Sequence, residues 1–142
     1  MDGDRPAVTA VVDTNVVAYL LLGTEEFVEE SQAFIGSLDG GMAPAVWEAE
    51  LANVVWMAVR QGVMPLEEGG KRLSAAARLG IQSVSNRSLW HGALVRGVQS
   101  GIAAYDALFV ELAIRESLPL ATFDQALLVA FPGVAYRPGA LA

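Results

Sequence analysis

Two kinds of hydrophobic segment alternate along the chain. Short continuous apolar runs are followed by longer stretches whose apolar residues recur every three or four positions. The first run, Ala7 to Val12, is rich in β-branched residues and reads as a buried strand. A parallel strand covered on both faces needs no polar alternation. The run ends at Asp13, followed by Thr14 and Asn15. A second apolar run then reads as a helix from Asn15 to about Leu22, stopped near Gly23. Residues 1–6 form a loose lead-in to the strand.

Thr24-Glu25-Glu26 has the form of a helix start, a hydroxyl cap followed by acids that favour the positive end of the helix dipole. Phe27, Phe34, Ile35 and Leu38 supply that helix's apolar stripe. Asp39-Gly40-Gly41 reads as a turn. Met42 to Ala45 reads as a short second strand, with Pro44 placed for the first turn of the next helix. That helix runs to about Gln61, with Trp47, Leu51, Val54, Val55 and Ala58 on one face and Gly62 as its stop. Pro65 opens a helix through Leu79, and Ile81 to Val84 is a third strand. Helices are expected over Asn86–Gln99 and Ile102–Ser117. A strand from Leu118 to Phe123 then ends at Asp124. Gln125–Phe131 reads as a short helix and Val134–Arg137 as a last strand. The alternation predicts an α/β sandwich around a mostly parallel central sheet. At 142 residues, without linkers or repeats, the chain is expected to form one domain, 1–142.

Composition narrows the chemistry. The absence of cysteine excludes disulfides, thiolate zinc sites and cysteine nucleophiles. One histidine, His91, cannot build a multi-histidine metal site in one chain; it is expected to be a partly buried helix residue beside Trp90. The tryptophans 47, 56 and 90 are read as core and interface residues. The start of the chain lacks a signal-peptide layout and no apolar run reaches the length of a membrane span, so a soluble cytoplasmic protein is expected. The net charge of −7 argues against binding nucleic acid by bulk electrostatics.

Four acids stand out. Asp13 and Asp124 each end an apolar strand and precede a helix. Either can be a simple helix cap. Two parallel strands ending alike also place both carboxylates on one sheet edge, where α/β folds bind ligands. Asp106 falls on an apolar helix face with Ile102, Ala103, Phe109, Val110 and Ala113, opposite Glu111 and Arg115. A buried carboxylate must be paired, protonated or metal-bound, and a salt bridge to Arg96 or Arg87 is the purely structural alternative. Glu48 and Glu50 flank the Trp47–Leu51–Ala58 face symmetrically, so periodicity leaves them tied. Glu25, Glu26, Glu29 and Glu30 read as a solvated helix face.

Taken together, VVDTNVVAYLL, APAVWEAELANVVWMAVRQG and GIAAYDALFVELAIRESLPLATFDQAL resemble, in order and spacing, the sequence blocks of the PIN-domain ribonucleases, most of all the VapC-type toxins of toxin–antitoxin pairs. The resemblance favours Glu50 over Glu48. It implies a three-layer α/β/α sandwich, often dimeric, with Asp13, Glu50, Asp106 and Asp124 in one cleft. It also implies RNA cleavage dependent on Mg²⁺ or Mn²⁺, with products carrying 5′-phosphate and 3′-hydroxyl ends, and a cognate antitoxin protein as partner. Asp13 and Asp106 are expected as primary metal ligands, with Glu50 and Asp124 completing the site. Thr14, Asn15 and Thr122 fall where the family keeps polar residues that support the acids.

Hard oxygen donors suit these cations. Two divalent ions would offset more than half of the net charge of −7. Arg60, Lys71, Arg72, Arg78, Arg87 and Arg96 are candidates to line an RNA path. A dehalogenase-like phosphatase would want an acid where Asn15 stands, and a receiver domain would want a late strand-end lysine, whereas the only lysine is Lys71. The remaining rival is a non-catalytic PIN-like module that binds RNA or protein.

Overall fold

The computed structural model describes residues 8–142; the lead-in and Ala7, read above as the first strand residue, lie outside the described residues. Five strands form one sheet: β1 (Val8–Val12), β2 (Leu38–Pro44), β3 (Ile81–Val84), β4 (Leu120–Ala121) and β5 (Ala135–Tyr136). Their order is β3-β2-β1-β4-β5, and every pairing is parallel. The helices are α1 (Thr14–Leu22), α2 (Val28–Ser37), α3 (Val46–Arg60), α4 (Leu66–Ala77), α5 (Trp90–Ser100), α6 (Ala104–Glu116) and α7 (Gln125–Ala130). α6 packs on β1 and β2, and α3 on β2, within the expected α/β/α architecture.

The chain steps outward from β1 through β2 to β3, then returns to place β4 and β5 on the other side of β1. β1 and β4 therefore flank the point where strand order reverses. A crevice opens there at the carboxyl ends of the strands, because the connections on its two sides leave in opposite directions. Ala10, Val11, Val12, Leu120 and Ala121 are buried, as a continuous apolar run requires of a central parallel strand.

The departures from the expected elements have local causes. Asp39-Gly40-Gly41 is strand, not turn: it belongs to β2. A Cβ on Gly41 would come within 3.1 Å of both Ile81 and Leu38, and one on Gly40 would meet Thr9 at 3.6 Å. Gly41 thus serves close approach to its neighbours, whereas the contact at Gly40 is an ordinary one, beside an irregular register at Val8/Thr9. Pro44 ends β2 instead of opening a helix; it carries no N–H, and the bond to Val84 O is made by Ala45 N at 2.7 Å. The segment before α2 is a turn, in which Phe27 N and Val28 N both bond Thr24 O, so the helix starts at Val28. Residues 86–88 form a separate 3₁₀ turn before α5. β4 and β5 are two residues each, shorter than their apolar runs.

Several side chains also sit differently from expectation. His91 is exposed, not partly buried. Of the tryptophans read as core and interface residues, Trp47 is in the core, whereas Trp56 and Trp90 are more than half exposed. Glu30 is no free surface acid: it accepts from Arg137 Nη2 at 2.6 Å and Gly139 N at 2.9 Å. Glu111, placed by periodicity on the polar face of α6, is only 8% exposed. It takes Arg96 Nε at 2.7 Å and Arg115 Nη2 at 2.9 Å. The pairing with Arg96 considered for Asp106 is thus made by Glu111. No single helix among the described residues is long and apolar enough to cross a membrane.

Candidate active site

Asp13, Glu50, Asp106 and Asp124 line one cleft of about 310 Å³, with Thr14, Asn15, Ala18, Tyr19, Leu22 and Val54. Four elements bring them there. Asp13 follows β1, Asp124 follows β4, Glu50 comes from the first half of α3 and Asp106 from the first turn of α6.

Asp13 occupies the cap position of α1 but its side chain caps nothing. It is 8% exposed and turns instead to Thr122 Oγ1, which donates to its Oδ2 at 2.8 Å. Asn15 Nδ2 lies 3.4 Å from the same oxygen and from Thr122 Oγ1. Asn15 Oδ1 accepts from Phe123 N at 3.2 Å, and Thr122 Oγ1 accepts from Asp124 N at 3.0 Å. The two strand ends are thereby tied to each other around Asp13. Asp124 differs: it is a true cap, with Oδ1 accepting from Ala126 N at 2.9 Å and Leu127 N at 3.4 Å. One oxygen serves the helix while the residue still lines the cleft.

Geometry separates Glu50 from Glu48. Glu50 Oε1 accepts from Thr14 Oγ1 at 2.7 Å on the cleft side, whereas Glu48 is bonded by Ser83 on another part of the surface. Asp106 is half-buried. It sits in the first turn of α6, not several residues into it, so the helix dipole offsets part of the cost of its charge.

Crowding of the acids shows in their protonation. Burial pushes the Asp13 carboxyl up from 3.8 to about 7; the charges of Glu50 and Asp106 add to the rise, and the bonds from Thr122 and the Thr14 backbone oppose it. Burial also raises Asp106, with help from Asp124 and Glu50. Close carboxylates that resist losing their protons form a site that a cation relieves.

The donors fit a hard divalent cation, since all four are carboxylates and two are held short of easy ionisation. Among the described residues, no three acids converge into a ready-made metal cage. Mg²⁺, which usually keeps several waters and takes one or two carboxylates plus substrate phosphate, does not require such a cage.

Two features of the cleft were not anticipated. One is its apolar half, Ala18, Tyr19, Leu22 and Val54. The signal was present: Tyr19 stands four residues after Asn15, on the same face of α1. The other is that none of Arg60, Lys71, Arg72, Arg78, Arg87 and Arg96 lines it. Lys71 and Arg72 pair with Glu67 and Glu68, and Arg96 with Glu111. Arg60 and Arg87 lie over Trp56 and Trp90.

No curated protein sequence matches the chain. Among solved structures, one chain of a toxin–antitoxin complex from Klebsiella pneumoniae is similar, with a TM-score of 0.60 at 15% identity, covering 91% of this chain and 97% of that one. At that identity the likeness concerns the fold. The PIN domain family model matches residues 10–131, a span that holds all four cleft acids. The chain belongs to the PIN domain family, whose members are generally nucleases.

Proposed function

We propose that the protein is a metal-dependent ribonuclease that hydrolyses RNA phosphodiester bonds at the Asp13–Glu50–Asp106–Asp124 cleft. The observation that carries the reading is that four carboxylates, from four separate elements, line one cleft at the reversal point of a PIN-domain sheet. A bound Mg²⁺ or Mn²⁺ would supply an activated water and charge stabilisation at the phosphate. Asp13 and Asp106 would hold it, with Glu50 and Asp124 completing the set directly or through water. Thr122 and Asn15 hold the Asp13 carboxylate, and Thr14 holds Glu50, which limits how far these two acids can turn.

The fold likeness to a chain of a toxin–antitoxin complex supports a role as the toxin of such a pair, neutralised by a small partner protein. Trp90, Leu94 and Val98, exposed one turn apart on α5, offer a face for a second copy of the chain.

Pure protein incubated with unstructured and structured RNA plus Mg²⁺ or Mn²⁺ tests the activity, beside Asp13→Asn and a chelator control. Cleavage that leaves 5′-phosphate ends and disappears in both controls is expected. No cleavage of any RNA would favour the non-catalytic binding module, and cleavage surviving Asp13→Asn would reveal a contaminating enzyme. A neighbouring reading frame for a small DNA-binding protein is the corresponding expectation for the toxin role.

A further inference from the structure

We propose that the apolar half of the cleft, formed by Ala18, Tyr19, Leu22 and Val54, is a nucleobase subsite that seats one unpaired base beside the scissile phosphate. The inference rests on the nuclease reading and names what that site recognises. Asp13 and Asn15 lie at the start of α1, and Ala18, Tyr19 and Leu22 follow on the same helix, so both halves share one cleft. Tyr19 lies six residues beyond Asp13, about 9 Å along the helix axis. One nucleotide spans that interval from its phosphate to the far edge of its base.

Three observations favour a base as the occupant. First, the cleft of about 310 Å³ is at the small end for a ligand pocket and of a size to hold one nucleotide. Second, among the described residues no arginine or lysine lines it, and the chain carries a net charge of −7. Backbone phosphates meet no cation from the described lining, which leaves the metal at one end and apolar contact at the other as the sources of affinity. Third, the Tyr19 ring is held in place. It stacks on Phe27 with centroids 4.6 Å apart and meets Phe123 at 5.4 Å. The Arg137 guanidinium lies over both phenylalanines, at 5.6 and 4.8 Å, and is itself anchored by Glu30. A ring already fixed loses little entropy when a base packs on it.

The test uses the wild-type protein and a short RNA cleaved at one bond, in which each nucleotide in turn is replaced by an abasic ribose. One position next to the cleaved bond is expected to raise KM roughly fivefold to a hundredfold, with kcat changed less. Tyr19→Leu should raise KM for the intact RNA by a similar factor and leave KM for that abasic RNA unchanged. Binding should also fall only weakly with salt, with a slope near that of one phosphate contact. A KM that stays within twofold for every abasic position, in a protein that cleaves, overturns the subsite and leaves the apolar half to a side chain of a protein partner. If the protein cleaves no RNA, the nuclease reading fails separately. Fluorescence anisotropy with the same RNA series then decides the subsite: a loss of binding at one abasic position supports it, and equal binding at all positions overturns it.

Discussion

Thr122 and Asp13 are 109 positions apart in the chain and joined by a 2.8 Å hydrogen bond between the ends of β4 and β1. The Thr122 hydroxyl donates to the carboxylate and accepts from Asp124 N at 3.0 Å, so one buried side chain serves two of the cleft acids. Thr122→Val keeps the shape and removes both bonds. It should cost about 1–2 kcal/mol of stability, the usual penalty for stranding buried polar partners. The same bond opposes the upward shift of Asp13. Its loss should therefore move the acid limb of the cleavage pH profile to higher pH, and a pH–rate profile beside a denaturant melt checks both.

Asp13 titrates at about 7 in the folded protein against an ordinary 3.8. Folding therefore favours its protonated form. The stability this supplies is complete below about pH 4 and is lost as the pH rises through about 7. The full effect is at most about 4 kcal/mol. Asp13→Asn, which cannot ionise, should make the metal-free protein more stable than wild type at pH 8 and give no such gain at pH 4. Denaturation midpoints at the two pH values read this directly. Added Mg²⁺ should narrow the gap at pH 8 by stabilising only the wild type, and its affinity should rise with pH, since cation and proton compete for the same oxygens.

Glu111 and Gly92 form a second coupled pair, away from the cleft. A Cβ on Gly92 would stand 2.3 Å from the Glu111 carboxyl carbon, which real contacts do not permit. Burial alone would raise the Glu111 pKa, but the bonds from Arg96 and Arg115 hold it below the usual range. Gly92→Ala should destabilise by about 1–3 kcal/mol through overpacking, even though alanine is the better helix former by about 1 kcal/mol. In a Glu111→Ala background the clash is gone, and the same substitution should be neutral or slightly stabilising. A double-mutant cycle measured by chemical denaturation gives the coupling.

These residues also show what the sequence could and could not reveal. Asp13 and Asp124 were visible because an apolar run ending in an acid marks a strand end, and parallel strands share an edge. Whether each was a cap could not be read, and the answers differ: Asp124 caps α7 while Asp13 caps nothing. Glu48 and Glu50 were tied because both border the buried stripe of α3. The partner that separates them, Thr14, lies 36 positions away. Glu111 was misplaced for a related reason. Helical periodicity sees one face packed on the sheet, whereas α6 is also covered by α5, which buries a charged residue along with two of its partners' contacts. Asp39-Gly40-Gly41 carried the composition of a turn, but Gly41 answers crowding by Ile81 and Leu38.

The strand order has one consequence for biosynthesis. Asp13 is among the first described residues to be made, yet its neighbour strand β4 begins only at Leu120. Until that strand emerges from the ribosome, β1 has no partner on that side, and neither Thr122 nor Asp124 exists to complete the cleft. The proposed RNA-cleaving centre therefore cannot form on the nascent chain while most of it is still being translated.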